Sequence, residues 1–79
     1  MEKVKPNIAR AMKFYREKKK MTQGDIMRAT GLERSYVSRL ESGGIKEPTI
    51  TTMILVARAL GVDPCDFLKK AMSLGTIEK

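Results

Sequence analysis

Placed at 100° steps, the apolar residues of this chain fall into helical seams separated by glycine and by capping residues. Ile8, Met12 and Tyr15 line up, with Ala11 beside them; Ile26, Met27 and Thr30 share a face; so do Tyr36, Val37 and Leu40. A wider stripe holds Ile50, Met53, Val56, Ala57 and Leu60, with Ile54 at its edge, and a broad face carries Cys65, Phe67, Leu68, Ala71, Met72 and Leu74. Gly31, Gly43, Gly61 and Gly75 each follow such a stretch, where a left-handed cap residue sits. Thr22, Thr49 and Asp63 stand where helices start, each with an oxygen able to cap. Thr22 and Asp25 form a capping-box pattern, and Asp63-Pro64 reads as an N-cap followed by proline at the first helical position, with Asp66 facing the helix dipole. No segment alternates with period two. The pattern predicts an all-α fold of helices over roughly 7–19, 23–30, 34–42, 50–60 and 64–74. Residues 1–5 and 76–79 read as frayed ends. Phe14 and Leu55 fall off their seams, which is ordinary for single apolar residues.

At 79 residues, with 42% hydrophobic and 32% charged residues, the chain reads as a single domain over 1–79 with a core over about 7–74. It has no linker and no internal repeat. The absence of His and the single Cys65 exclude zinc fingers, haem attachment and an intrachain disulfide framework, and no metal or other cofactor is expected. Cys65 is read as a small buried hydrophobe rather than a thiol activated by its helix start. No apolar run is long enough to span a membrane, and the N-terminus is not a secretory signal. Six Met and one unpaired Cys suit a reducing, cytoplasmic setting. Sixteen Lys+Arg against nine Asp+Glu leave a net charge of +7, which points to polyanionic partners, nucleic acid first.

The second and third helices are short and joined by little more than Gly31-Leu32, the spacing of a helix-turn-helix. On the third, Arg34, Ser35, Ser38 and Arg39 cluster opposite Tyr36, Val37 and Leu40. One face therefore docks on the core while the other offers two guanidinium forks and two hydroxyls. Such a helix fits the major groove of double-stranded DNA, where an Arg fork matches guanine O6 and N7. Any amphipathic surface helix has a polar face, so periodicity alone leaves simple solvation as an alternative.

Four pieces with matching spacings are similar to the lambda-repressor/Cro-like (XRE-type) helix-turn-helix family. They are Met21-Thr22-Gln23 through Gly31-Leu32; Ser35-Tyr36-Val37-Ser38-Arg39-Leu40-Glu41-Ser42-Gly43; Pro48-Thr49-Ile50; and Leu60-Gly61-Val62-Asp63-Pro64. The resemblance covers about residues 7–70 and implies a compact five-helix domain. Leu32-Glu33-Arg34-Ser35-Tyr36 is most similar to restriction-modification controller members. The resemblance implies base contacts from Arg34, Ser35 and Arg39, with Ser38 between them. Phosphate contacts are expected from Thr22 and Gln23 at the start of the second helix, and from Ser42, Gly44 and Lys46 after the recognition helix. The Tyr36 hydroxyl can also reach a phosphate. Arg16 and Glu41 match a partly buried ion pair between the first and third helices, the alternative being two separate surface charges.

Some positions depart from the family pattern. Met27 stands where a small residue is usual, Lys20 replaces a common Gly, and Glu33 replaces a small N-cap and caps poorly. Glu47 is acidic in a loop where a base would help. Lys18-Lys19-Lys20 reads as a solvated helix end complementing the dipole, ahead of a phosphate clamp.

Two functions follow. The first is a non-enzymatic transcriptional regulator, a repressor or controller, that binds a palindromic operator as a homodimer. Its dimer contacts would come from Leu55, Phe67, Leu68, Ala71, Met72 and Leu74. The second is a module for a protein partner, such as an antitoxin or bridging factor on the same fold. An enzyme is disfavoured, because no nucleophile–base pair or phosphate loop is visible.

Overall fold

The computed structural model describes residues 3–45 and 47–78. Five helices follow one another: α1 (Ile8–Lys18), α2 (Gln23–Thr30), α3 (Arg34–Ser42), α4 (Ile50–Ala59) and α5 (Pro64–Ser73). Each start is chemically legible except one. Thr22 and Asp25 complete a reciprocal capping box, and Thr49 and Asp63 accept from the N–H of Thr52 and Cys65. Asn7, which the seams did not mark, caps α1 by accepting from Arg10 N–H at 3.0 Å. Only Glu33, before α3, makes no capping bond.

The core is the intersection of the seams. Ala11, Met12, Ile26, Val37, Leu40, Val56, Ala57, Leu60, Phe67 and Ala71 are buried, and Ile8, Tyr15, Met27 and Tyr36 pack against them. Helices α1, α3, α4 and α5 thus share one apolar centre with α2, which holds the motif on a fixed base. Met27 is accommodated at the rim of this core.

Several expectations need correction. Ile50 is 70% exposed rather than part of the core stripe, because the first turn of α4 projects past the end of the core. Cys65 is exposed, since it lies in the first turn of α5 on the side away from Phe67 and Ala71. Residues 3–5 and 76–78 are paired, not frayed: β1 (Lys3–Lys5) and β2 (Thr76–Glu78) form an antiparallel ribbon with Val4 in register with Ile77, while residues 1, 2 and 79 of the expected frayed ends lie outside the described residues.

That ribbon explains Gly75 differently from the other helix-ending glycines. Gly31, Gly43 and Gly61 adopt left-handed backbones, whereas Gly75 does not. A Cβ at Gly75 would meet the backbone of Lys5 and Pro6, including the Lys5 carbonyl oxygen at a distance no real contact allows. Gly75 is therefore required by close approach of the two chain ends. The left-handed position after α1 belongs to Lys20, with φ of 55°, at the site where the sequence departs from the usual Gly.

Candidate nucleic-acid interface

The turn between α2 and α3 is built by Gly31, whose φ of 76° closes α2 with its N–H on the Met27 carbonyl. Thr30 Oγ1 donates to the Ile26 carbonyl at 2.7 Å and accepts from Leu32 N–H at 3.2 Å, so the short connection is internally satisfied. It delivers α3 with Val37 and Leu40 buried and with Arg34, Ser35, Ser38 and Arg39 all exposed. The Arg39 guanidinium lies 5.9 Å from the centroid of the half-buried Tyr36 ring, a cation–π approach on the outer side of the helix.

The start of α2 supplies a different kind of surface. The capping box uses the N–H groups of Thr22 and Asp25, at 2.8 and 3.1 Å. The first-turn N–H groups of Gln23 and Gly24 have no intrahelical acceptor, which leaves an electropositive helix end suited to an anion. The Asp25 carboxyl is held below its ordinary value by the Thr22 N–H, then by Arg28, then by the Thr22 hydroxyl. Arg28 pairs with it at 2.5 Å.

Beneath these surfaces, Arg16 and Glu41 meet. Arg16 Nε and Nη2 donate to Glu41 at 2.9 and 2.5 Å in a two-pronged pair, with side chains only 19% and 7% exposed. Arg16 Nη1 also donates to the Met21 carbonyl at 2.9 Å. The Glu41 hydrogen bond holds the guanidinium above its ordinary pKa, against the opposing effect of burial. One contact left no trace in the seams: Gln23 Nε2 donates to Glu41 Oε2 at 3.2 Å. It joins residues 18 apart on different helices, which periodicity within one helix does not reveal.

Other expected contact residues are placed less simply. Ser42 Oγ is turned back to donate to the Arg39 carbonyl at 3.2 Å, so it must rotate to serve a phosphate. The Gly44 N–H is committed to the same carbonyl at 2.8 Å, which removes it as a free phosphate donor. Lys46 lies outside the described residues. Lys18 and Lys19 engage their own surface, Lys18 Nζ at 5.8 Å from the Phe14 ring and Lys19 Nζ at 3.4 Å from the Gly61 carbonyl.

The residues assigned to a dimer contact divide in two. Phe67 and Ala71 are buried inside the fold and have no surface to offer. Leu55, Leu68 and Met72 are exposed, Met72 at 48%, and Leu74 is half-buried. No helix among the described residues is long and apolar enough to cross a membrane.

Comparison with known proteins agrees with this geometry. The helix-turn-helix family model matches residues 12–67. No curated protein matches the chain. Among solved structures, the chain is similar to the clp gene regulator ClgR from C. glutamicum, at 26% identity over 91% of this chain and 92% of that one, with a TM-score of 0.80. It is similar to the restriction-modification controller protein C.Esp1396I, solved as a tetramer in complex with its natural 35 base-pair operator, at 26% identity over 89% and 91%, with a TM-score of 0.78. It also resembles the hypothetical transcription factor NHTF from Neisseria, at 29% identity over 84% and 75%, with a TM-score of 0.72. The match across most of the fold, with the motif at α2 and α3, means that this chain belongs to the XRE-type helix-turn-helix family of DNA-binding transcriptional regulators.

Proposed function

We propose that this protein is a cytoplasmic, non-enzymatic repressor or controller that binds a palindromic operator as a homodimer. The observation that carries the reading is the two-sided α3: Val37 and Leu40 are locked in the core while Arg34, Ser35, Ser38 and Arg39 are exposed outside. Placed in the major groove, Arg34 and Arg39 supply forks for guanine, and the two serines supply small contacts between them. Thr22, Gln23, Tyr36, Ser42 and Lys46 attend the backbone and fix register. Leu55, Leu68, Met72 and Leu74 provide the apolar surface for a two-fold partner, which sets the two α3 helices about 34 Å apart.

The test is selection of bound duplexes from a random-core pool, with anisotropy at two salt concentrations. A two-fold symmetric sequence is expected, with affinity falling steeply as salt rises. On that sequence Arg34→Ala and Arg39→Ala each cost about 1–3 kcal/mol and little on random DNA. Gln23→Ala weakens both. Equal losses on selected and random DNA for all three variants would remove the base-reading assignment. Weak binding without selection would turn the search to a protein partner for the exposed apolar surface.

A further inference from the structure

Glu41 is the meeting point of three segments. Arg16 of α1 grips it through Nε and Nη2, and the same guanidinium holds the Met21 carbonyl just before α2. Gln23, the first residue of α2, donates Nε2 to Glu41 Oε2, which Arg16 Nε also approaches. A carboxylate only accepts, so it selects the NH2 end of the Gln23 amide and leaves the oxygen end turned away. One amide hydrogen is spent on Glu41. The other remains on a half-buried side chain at the electropositive end of α2, beside the open N–H groups of Gln23 and Gly24. Arg16 offsets the charge of Glu41, so an acid can stand this close to the proposed backbone contact without repelling it.

We propose that Glu41, held by Arg16, is a positioning residue for DNA: it fixes the Gln23 amide so that its remaining N–H meets a backbone phosphate. The idea rests on the DNA-binding reading above and adds to it a role for an ion pair that would otherwise only join helices. A free glutamine loses rotamer freedom on binding, whereas this one is ordered beforehand.

The experiment uses the whole chain and the duplex selected above. Replacing both charges at once, in Arg16→Met/Glu41→Leu, keeps net charge and supplies apolar volume in place of the pair, a change buried ion pairs often tolerate. The fold is followed by thermal melting. The expected result is a retained melt with about tenfold weaker binding, the same loss as Gln23→Ala, and no further loss when the changes are combined. Additive losses, or unchanged affinity in the charge-pair variant, overturn the proposal. Should that variant fail to fold, nitrogen relaxation of the wild-type side-chain amides decides. A Gln23 NH2 group ordered like the backbone before DNA is added supports the role, and one as mobile as an exposed side chain overturns it. Failure of wild type to select any duplex is a separate result, which removes the DNA reading and this role with it.

Discussion

The two helices of the motif begin in opposite ways. At α2, Thr22 and Asp25 satisfy each other's N–H groups, Arg28 braces Asp25, and Arg16 holds the preceding Met21 carbonyl. At α3, Glu33 enters with an extended backbone and no capping bond, and no acid stands in the first turn. The helix that orients the motif is braced by its own side chains. The helix assigned to reading bases is left open at the end where Arg34 and Ser35 emerge. At α2 the capping box fixes the geometry and still leaves first-turn N–H groups for a phosphate, whereas at α3 no side chain caps the end from which Arg34 and Ser35 emerge.

The largest expected effect tests what holds both ends in place. Arg16→Ala leaves the partly buried Glu41 without its cation and should cost about 3 kcal/mol in denaturant unfolding. A loss below about 1 kcal/mol would mean that solvent screens the pair and that neither helix depends on it. Next comes the contrast itself. Thr22→Ala should cost about 1 kcal/mol, whereas Glu33→Ala should change stability by less than about 0.5 kcal/mol, because it removes no capping bond. Equal losses would erase the difference between the two starts. Glu33→Ser should stabilise by about 0.5 kcal/mol through a new cap; if it also weakens operator binding, the open end has a use.

The smallest effect is one of acidity. The folded Asp25 carboxyl titrates below its ordinary 3.8, so it binds its proton less readily than in the unfolded chain. Its contribution is complete above the unfolded value and lost as pH falls through the lowered folded value. The gap in melting temperature between wild type and Asp25→Asn should therefore close on the acid side of that value. A gap that widens there would contradict the sign.

The same local chemistry decided what could be read without coordinates. Helix bounds came from caps and glycines, which act within a few residues of themselves, so Thr22, Thr49, Asp63 and Gly31 marked elements directly. The polar face of α3 was equally legible, because Val37 and Leu40 fix its rotation. The misses have non-local causes. On α5 the broad apolar face did not distinguish Phe67 and Ala71, turned inward, from Leu68 and Met72, turned out, since that depends on where α1 and α4 lie. Ile50 kept its helical phase but ran beyond the core. The terminal ribbon is too short to show alternation and depends on Gly75 admitting the Lys5 carbonyl. Gln23 meeting Glu41 is a tertiary contact between two helices.

The ribbon also sets how the molecule bears a pull. Lys3 lies opposite Glu78, with both strands leaving from the same end of an antiparallel pair. Tension applied through these two points acts along the hydrogen bonds, because ladder bonds run perpendicular to the strands. The rungs are loaded one after another, as in a zipper, not together as in shear. The first mechanical yield is then small and local, and the core helices feel the load only after the Lys5–Thr76 rung has opened.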